Sequence, residues 1–416
     1  MALSLKAPIR VTCGWKTPCH DQIRQIRAAS LETSHSPQDT TATSTVERVR
    51  SVVNMVDQMS DQFEFWIVTD DRDSGDQSPY EGVPLGRWTT VGKAQVFYVP
   101  RANRGFRAVR DIVRSTPHDV MYLNSCLAQH ASIIPLLLRR MGAIERRPTV
   151  LAPRGEMSTG ALGVKPMKKR PFLLAARLLR LYGGIIWQAS SPLEAAEIRL
   201  QLGVPDSQVV VAPDLLPRSQ GAVSAALGSV AREPGVLRVI FISRIAPKKN
   251  LAFLLQVLHT VRCPLDLTIA GPVDDQGYWR RCESLIAALP PNVKVTVAGP
   301  VPYEQVPEMF AKHDLFVLPT FGENFGHAII EALTAGTPVL CSPHTPWSPD
   351  NGAAFSVMPL GEAQWKSAIE KWAQMSAAQL LARREAALRY ARAYYADESA
   401  LVSNRALFAL AAERGR

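Results

Sequence analysis

"LFVLPTFGENFGHAIIEALTAGTPVLCS", residues 315–342, reads as a strand, a loop, a helix and a second strand. The apolar runs at its two ends are short and β-rich, whereas the segment between them has helical spacing, starts near residues 324–326 and ends at Gly336. A helix of this length is the usual connection between two parallel strands. The stretch therefore predicts an α/β domain built on a parallel sheet.

The same alternation runs through both halves of the chain. Candidate strands of the first half are "FEFWIVT" (63–69), "AQVFYV" (94–99), "DVMYLN" (119–124), "TVLAP" (149–153), "IIWQAS" (185–190) and "QVVVAP" (208–213). Those of the second half are "LRVIFIS", "LDLTIAG", "VKVTVAG", "LFVLP" and "PVLCS". Strands that alternate with helical patterns predict two α/β domains with parallel sheets.

The length and composition agree with two domains. At 416 residues, with 47% hydrophobic and 20% charged residues, the chain can bury two cores of ordinary size. We predict an N-terminal domain over 1–214, a linker over 215–236 that is rich in Ser, Ala, Gly and Pro, and a C-terminal domain over 237–395. A terminal helix over 396–416 is expected to pack back on the N-terminal domain.

Several classes of protein are disfavoured by what the sequence contains. The six cysteines are scattered, without the short spacing of a zinc site or a redox pair, and read as reduced thiols. The first residues lack the apolar run of a signal peptide, and no apolar segment is long enough to span a membrane. We therefore expect a cytoplasmic protein.

Positive charge is concentrated between Arg139 and Arg180, where eleven Lys or Arg stand against two Glu, a net charge of +9. Such a block can bind an anionic membrane or a lipid phosphate, can bind nucleic acid, or can be a solvated basic surface. Aromatic residues do not alternate with these charges as a nucleic-acid stacking platform requires. We expect no nucleic-acid partner, and the other two interpretations stay open.

Two carboxylates surround the start of the predicted helix. Glu323 precedes it and Glu331 lies inside it, with Gly322 and Gly326 allowing a ligand to approach the backbone closely. Carboxylates near a helix start can accept hydrogen bonds from the hydroxyl groups of a polyol. The alternatives are that Glu323 only stabilises the helix end and that Glu331 is a solvated helix position.

A basic loop follows the first strand of the second half, in "VIFISRIAPKKNLAFLLQVL". Arg244 and Lys249 leave the carboxyl end of that strand, where ligands bind in open α/β sheets. A guanidinium fork and a mobile ammonium can together neutralise a diphosphate. They could equally be two surface cations.

Four motifs in a fixed order carry a family resemblance: "SRIAPKKN", "LTIAGP", "VAGPVPYEQVPEMFAKHDLFVLPT" and "GENFGHAIIEALTAGTPVL". They resemble the C-terminal domain of retaining glycosyltransferases of family 4, in particular bacterial members that make surface polysaccharides. The resemblance implies the GT-B architecture, with two Rossmann-like parallel-sheet domains facing across a cleft and C-terminal helices. It also implies a metal-independent transferase without a cofactor, which takes a UDP- or GDP-linked sugar as donor.

The resemblance also assigns roles in donor binding. Arg244 and Lys249 would hold the diphosphate and Glu323 the donor sugar, so these three are the catalytic candidates. Glu331 would bind the nucleotide ribose. The remaining donor-binding candidates are Gly322, Asn324, Phe325 and Gly326.

Acceptors bind in the first half in this family. The segment "APRGEMSTGALGVKPMKKRPFLLAARLLRLY" is similar to the corresponding region of such enzymes. The acceptor-side candidates are Asn124, Arg154, Glu156 and Lys165. A glycan or lipid-linked acceptor that bears phosphate would make use of the basic block, and would place the enzyme on the inner face of the cytoplasmic membrane. Arg154 and Glu156 could instead form an internal ion pair.

Asp71-x-Asp73 is a metal-binding pattern in other glycosyltransferases. Acids in such a loop commonly face solvent, and we expect no metal there.

Two features depart from the family pattern. No glycine occurs between Gly14 and Gly75, where the family has a glycine-rich loop, and Asn124 and Ser125 stand where some members carry a histidine. These departures favour a catalytically weak homologue that binds a nucleotide-sugar or a partner enzyme without transfer. The charged residues of the donor motifs favour the transferase. A sugar-nucleotide epimerase of similar fold would need acid and base groups in the first half that the sequence does not identify.

Overall fold

The chain folds into two compact units. The computed structural model describes residues 9–14, 43–72, 77–163, 166–217, 235–347 and 354–415. The first unit comprises Met1–Arg218 together with Glu398–Arg416, and the second comprises Ser219–Asp397. The predicted linker, 215–236, lies largely outside the described residues.

The described part of the first unit alternates strands and helices as the sequence predicts. Its strands are β1 (Ile9–Gly14), β2 (Phe63–Asp70), β3 (Trp88–Val91), β4 (Ala94–Val99), β5 (Val120–Asn124), β6 (Thr149–Ala152), β7 (Ile185–Ala189) and β8 (Val209–Val211). Its first six helices are α1 (Thr43–Met59), α2 (Phe106–Ser115), α3 (Ile134–Arg140), α4 (Thr159–Gly163), α5 (Pro166–Leu178) and α6 (Pro192–Leu202).

These strands form one sheet in the order β3-β4-β2-β1-β5-β6-β7-β8. All neighbouring pairs are parallel except β3 with β4. Strand β3, which the sequence analysis did not predict, is a four-residue strand at the edge of the sheet. Short edge strands carry a weak pattern because they need not be buried on both faces.

The second unit contains a smaller, fully parallel sheet. Its strands are β9 (Leu237–Ile242), β10 (Leu265–Ala270), β11 (Val293–Gly299), β12 (Leu315–Leu318), β13 (Val339–Cys341) and β14 (Phe355–Val357). Its helices are α7 (Leu251–Thr260), α8 (Gln276–Ala287), α9 (Val306–Ala311), α10 (His327–Thr334), α11 (Glu362–Ala373) and α12 (Ala377–Ala396).

The strand order of this second sheet is β11-β10-β9-β12-β13-β14. Numbered within the unit it is 3-2-1-4-5-6, the order of doubly wound nucleotide-binding sheets. The chain therefore winds outward in one direction from β9 and then in the other direction from β12, and the reversal lies between these two strands. The predicted α/β class with two parallel sheets is confirmed.

The last helix, α13 (Ser399–Glu413), belongs to the first unit. Its Phe408 is fully buried, and the ring lies 5.5 Å from the rings of Phe63 and Tyr122, centroid to centroid. Leu407 and Ala411 pack into the same core as the buried face of α1. The final residues of the chain thus complete a core whose other members precede residue 216.

Cys126, Cys263, Cys282 and Cys341 are free, and burial raises the pKa of Cys282 to about 11 and that of Cys341 to about 12. Within the described ranges, none of the helices combines the length and apolar character needed to cross a bilayer.

Replacement of Phe408 by Ala tests the packing of α13. Because the ring is fully buried among aromatic neighbours, we expect Phe408→Ala to lower the free energy of unfolding by about 3–5 kcal/mol, measured by urea denaturation. Val402 lies on the same helix and is 61% exposed, so Val402→Ala should change stability by no more than about 0.5 kcal/mol. Equal effects of the two substitutions would contradict the described packing.

Candidate active site

Two loops meet at the reversal point of the second sheet. Ligands of open α/β sheets bind outside the carboxyl ends of the strands at this point, because the connections on its two sides run away from each other. One loop follows β9 and contains a 3-10 turn, Pro247–Lys249. The other follows β12. They are joined by a hydrogen bond of 2.8 Å from the Phe321 amide to the Lys248 carbonyl and by one of 3.2 Å from Thr320 Oγ1 to the same oxygen.

The contact between the loops includes a buried ion pair. Lys249 Nζ lies 2.6 Å from Glu323 Oε1, and the two side chains are only 9% and 6% exposed. Glu323 is fixed further by its own amide, which donates to the His344 carbonyl at 2.8 Å. Two opposite charges are thus held out of bulk water at the edge where a ligand would bind, and each compensates the other.

The position of Lys249 follows from the local sequence. Pro247 opens the 3-10 turn, and Asn250 then adopts a left-handed conformation with φ of 60° immediately before α7. Asparagine tolerates this conformation better than most residues. The tight turn and the left-handed residue after it direct the Lys249 side chain into the contact between the two loops instead of along α7.

Arg244 lies nearer the start of the same loop. Its guanidinium forms an ion pair with Asp274, which follows β10, and the two side chains are 27% and 40% exposed. The loop is held against its neighbour by a 2.8 Å hydrogen bond from the Ile245 amide to the Pro272 carbonyl. Arg244 therefore has a carboxylate partner that an incoming anion can replace, because phosphate and carboxylate offer the same paired oxygens to the guanidinium fork.

Gly271 makes this arrangement of loops possible. Its φ is +123°, and a Cβ placed on it would lie 2.0 Å from the Ser243 carbonyl oxygen. Any side chain here would push apart the loops that carry Arg244 and Asp274. The sequence analysis did not single out Gly271 or Asp274, although an acid soon after the adjacent strand, at the same sheet edge, was a usable signal for Asp274.

Helix α10, which follows Glu323 and contains Glu331, begins later than predicted. Its first residue is His327 and its N-cap is Gly326, whose φ is +83°, so Asn324 and Phe325 lie in the preceding loop. The start predicted near residues 324–326 is one to three residues early, because the left-handed Gly326 turns the chain before the helix forms. Glu331 is a half-buried residue of α10, as predicted. Its carboxylate lies near Tyr395, whose pKa is raised mainly by burial and further by Glu331.

Phe325 contributes its backbone and not its ring to the loop surface. The ring is buried, lies 5.5 Å from that of Trp347 and 4.8 Å from that of His327, and so packs inside the unit. The Phe325 carbonyl accepts a 2.5 Å hydrogen bond from Trp347 Nε1. Gly322, also buried, donates its amide to Thr320 Oγ1 at 3.1 Å. These contacts fix the loop that carries Glu323.

The acceptor-side candidates lie in the first unit, at the carboxyl ends of β5 and β6. Arg154 has a φ of 55° and a side chain that is 5% exposed, and it forms an ion pair with the buried Asp214. Its Nε donates to Asn124 Oδ1 at 2.7 Å, and a terminal nitrogen donates to the Tyr122 hydroxyl at 2.8 Å. Arg154 and Asn124 are therefore parts of one buried network.

Glu156 belongs to a second network. Its carboxylate accepts hydrogen bonds from Ser125 Oγ at 2.7 Å and from the amides of Cys126 and Leu127 at 2.8 and 2.9 Å. The structure thus gives Arg154 and Glu156 different partners, in contrast to the internal ion pair considered from the sequence. Lys165 lies outside the described residues.

The Asp71-x-Asp73 pattern is described only in part. The Asp71 carboxylate accepts hydrogen bonds from Arg72 and Arg104, and the bond from Arg72 lowers its pKa. Asp73 lies outside the described residues. Two guanidinium groups therefore already occupy the carboxylate that a metal ion would need.

Comparison with known proteins finds a family model that matches part of the second unit. Residues 229–350 match the family model described as glycosyl transferases group 1. All of the matched residues lie within the second unit. The matched residues include the loops of Arg244, Lys249 and Glu323 and the whole of α10.

Curated relatives match this chain over only a part of its length. D-inositol 3-phosphate glycosyltransferase from Rhodococcus erythropolis is 31% identical over 142 residues, which cover 32% of this chain and 32% of the relative. O-antigen chain mannosyltransferase B from Escherichia coli is 32% identical over 109 residues, covering 25% and 28%. The match thus spans about a third of the length of these relatives.

Solved structures match over nearly the whole chain. Anabaena Alr3699/HepE in complex with UDP and glucose gives a TM-score of 0.64 at 16% identity, covering 97% of this chain and 98% of that one. Sucrose-phosphate synthase from Thermosynechococcus elongatus gives 0.65 at 16% identity, covering 97% and 99%. This likeness confirms the predicted GT-B fold.

A double-mutant cycle tests the ion pair at the loop contact. Lys249→Met or Glu323→Gln alone leaves one buried charge without compensation, so we expect each to lower the free energy of unfolding by about 3–5 kcal/mol. The combined variant removes both charges and should be more stable than the sum of the single effects predicts, by about 0.5–3 kcal/mol. Strictly additive effects in urea denaturation would show that the pair is not coupled.

Proposed function

We propose that the protein is a retaining glycosyltransferase that transfers a sugar from a nucleotide-sugar to a glycan or lipid-linked acceptor in surface polysaccharide biosynthesis. The observation that carries the proposal is the Lys249–Glu323 pair at the reversal point of a nucleotide-binding type of sheet. An ammonium and a carboxylate at that edge supply the two kinds of contact that a sugar diphosphate needs. The ammonium binds phosphate oxygens, and the carboxylate accepts hydrogen bonds from hydroxyl groups.

In this proposal the donor replaces the internal partners of the site. Arg244 exchanges Asp274 for a phosphate oxygen, and Lys249 shifts from Glu323 toward the same diphosphate. Glu323 is then free to accept hydrogen bonds from the donor sugar. Because Arg244 and Lys249 each have a carboxylate partner, the donor does not enter a site of unpaired buried charge.

Other donor contacts follow from the same loop. Glu331 in α10 would bind the ribose, and the backbone of Gly322 and of residues 324–326 would lie along the sugar. The diphosphate is neutralised by side-chain cations, so the proposed donor site needs no metal or other cofactor.

In this reaction the protein acts mainly through charged groups held in position, and less through proton transfer by its own side chains. As the anomeric C–O bond breaks, its electron pair leaves with the nucleoside diphosphate, and positive charge develops on the sugar. Arg244 and Lys249 stabilise the leaving group, while Glu323 holds the sugar. The acceptor oxygen attacks from the face on which the diphosphate departs, so the anomeric configuration is retained. The acceptor gives its proton to an oxygen of the departing phosphate.

The donor nucleotide and the acceptor are inferred from relatives. The HepE complexes contain UDP with glucose and UDP-glucose, so we take a UDP-linked donor as the first candidate and a GDP-linked donor as the second. One relative is named a mannosyltransferase of an O-antigen chain, and the structural neighbour WaaG is described as involved in lipopolysaccharide biosynthesis. These names support a cell-surface glycan as the product. We propose that it is made at the inner face of the cytoplasmic membrane.

A thermal-shift measurement tests donor binding. A nucleotide present at roughly 100 times its Kd stabilises the folded protein by about 2.7 kcal/mol, which should raise the Tm by about 2–4 °C. We expect this with UDP or GDP and their sugar conjugates, and we expect Arg244→Ala to abolish it. Arg405 is a matched control, because it also pairs with an aspartate and its side chain is 29% exposed against 27% for Arg244. A shift that survives Arg244→Ala, or is lost equally in Arg405→Ala, would contradict the site.

Hydrolysis of the stabilising nucleotide-sugar tests catalysis without requiring the acceptor. Removal of the Glu323 charge takes away the contact proposed to hold the sugar, so Glu323→Gln should slow release of the nucleoside diphosphate by about 100-fold or more. Glu308→Gln, which changes an exposed glutamate of α9, should leave the rate unchanged. If wild-type protein binds the nucleotide-sugar but releases no product with any acceptor preparation, the non-transferring homologue is correct instead.

A further inference from the structure

Helix α5 has apolar side chains on two opposite faces. On the inner face, Ala176 is buried, and Phe172 and Leu173 pack against the core of the first unit. This inner contact already attaches the helix to the protein. A surface helix normally presents polar residues on its remaining face.

The outer face of α5 is apolar instead. Met167, Leu174 and Leu178 are 87%, 61% and 76% exposed, and Pro171 between them is exposed as well. Their spacings of four, three and four residues place them in one stripe along the helix, on the side opposite Ala176. Leu179, which follows the helix, is 63% exposed. Single exposed apolar residues are ordinary, but an aligned stripe of this kind marks a contact surface.

Cations flank the stripe. Arg170 and Arg177 are exposed on one side of it, and Arg180 is exposed just beyond the helix. The C-terminal end of α3 lies beside this end of α5, because Arg140 Nε donates to the Leu179 carbonyl at 3.4 Å. That end adds the exposed Arg140 and Met141, the latter 68% exposed. We define the α5 surface as Met167, Arg170, Leu174, Arg177, Leu178 and Leu179.

The sequence that contains α5 carries charge of one sign. Between Glu156 and Glu194 the sequence contains six Lys or Arg and no Asp or Glu. A second copy of the chain would bring the same positive charge to the contact, which disfavours self-association through this surface. A nucleic acid would use the cations but not the apolar stripe. An anionic lipid surface uses both, because its phosphates pair with the guanidinium groups and its acyl boundary accepts the apolar side chains.

From these observations we infer that the α5 surface docks onto an anionic membrane, with the helix lying in the plane of the interface. A helix of 13 residues is about 20 Å long, which suits interfacial binding and not crossing. The inference deepens the proposed function by naming the surface that meets the membrane. Only the biological purpose of this docking rests on the proposed function. Docking itself requires no sugar transfer.

Vesicle flotation tests the inference with the full-length protein. Wild type should float with vesicles of equal parts phosphatidylcholine and phosphatidylglycerol and should remain in solution with vesicles of phosphatidylcholine alone. Leu174→Glu replaces a stripe side chain by a charge of the same sign as the lipid, and should weaken partitioning by about tenfold or more. Val402→Glu, at a position on α13 that is also 61% exposed, should change partitioning by less than about twofold.

Three outcomes would overturn the inference: no flotation with the mixed vesicles, equal flotation with both kinds of vesicle, or equal losses in Leu174→Glu and Val402→Glu. A fourth would be a change in the solution mass of the protein caused by Leu174→Glu, which would show that the surface binds a second copy. Nucleotide stabilisation measured on the same preparation separates this test from the proposed function. A protein that UDP or GDP stabilises but that does not float retains the proposed function without the membrane surface.

Discussion

The site depends on one buried ion pair, between Lys249 and Glu323. The two residues lie 74 positions apart, and their contact joins the loops on the two sides of the reversal point in the second sheet. In a site that excludes water, opposite charges must be held close or the fold loses stability. Under the proposed function, a donor that offers a phosphate to Lys249 and hydroxyl groups to Glu323 would replace this pair.

Sequence patterns predicted this part of the molecule well because its determinants are local. The short apolar runs around residues 315–342 and the acids beside them belong to one strand–helix–strand unit. The start of α10 was predicted too early, since the left-handed conformation of Gly326 depends on what the loop packs against, including Trp347. The partner of Arg244 was also missed, because pairing with Asp274 is decided by which strands are neighbours.

In the first unit, the sequence did not predict the contacts that join distant parts of the chain. Arg154 and Glu156 are two residues apart and read naturally as a pair or as ligand groups. In the fold, Arg154 reaches Asp214, sixty positions away, and Glu156 binds the backbone after β5. Both side chains thus hold the ends of β5 and β6 in place through contacts that their spacing in the sequence does not reveal.

The path of the chain has a consequence for biosynthesis. Helix α13 supplies part of the core of the first unit, yet the whole second unit is encoded before it. On the ribosome, the second unit therefore emerges complete while the first unit still lacks Phe408 and its neighbours. Assembly of the first unit therefore cannot finish before the second unit has been synthesised, even though most of the sequence of the first unit is made first.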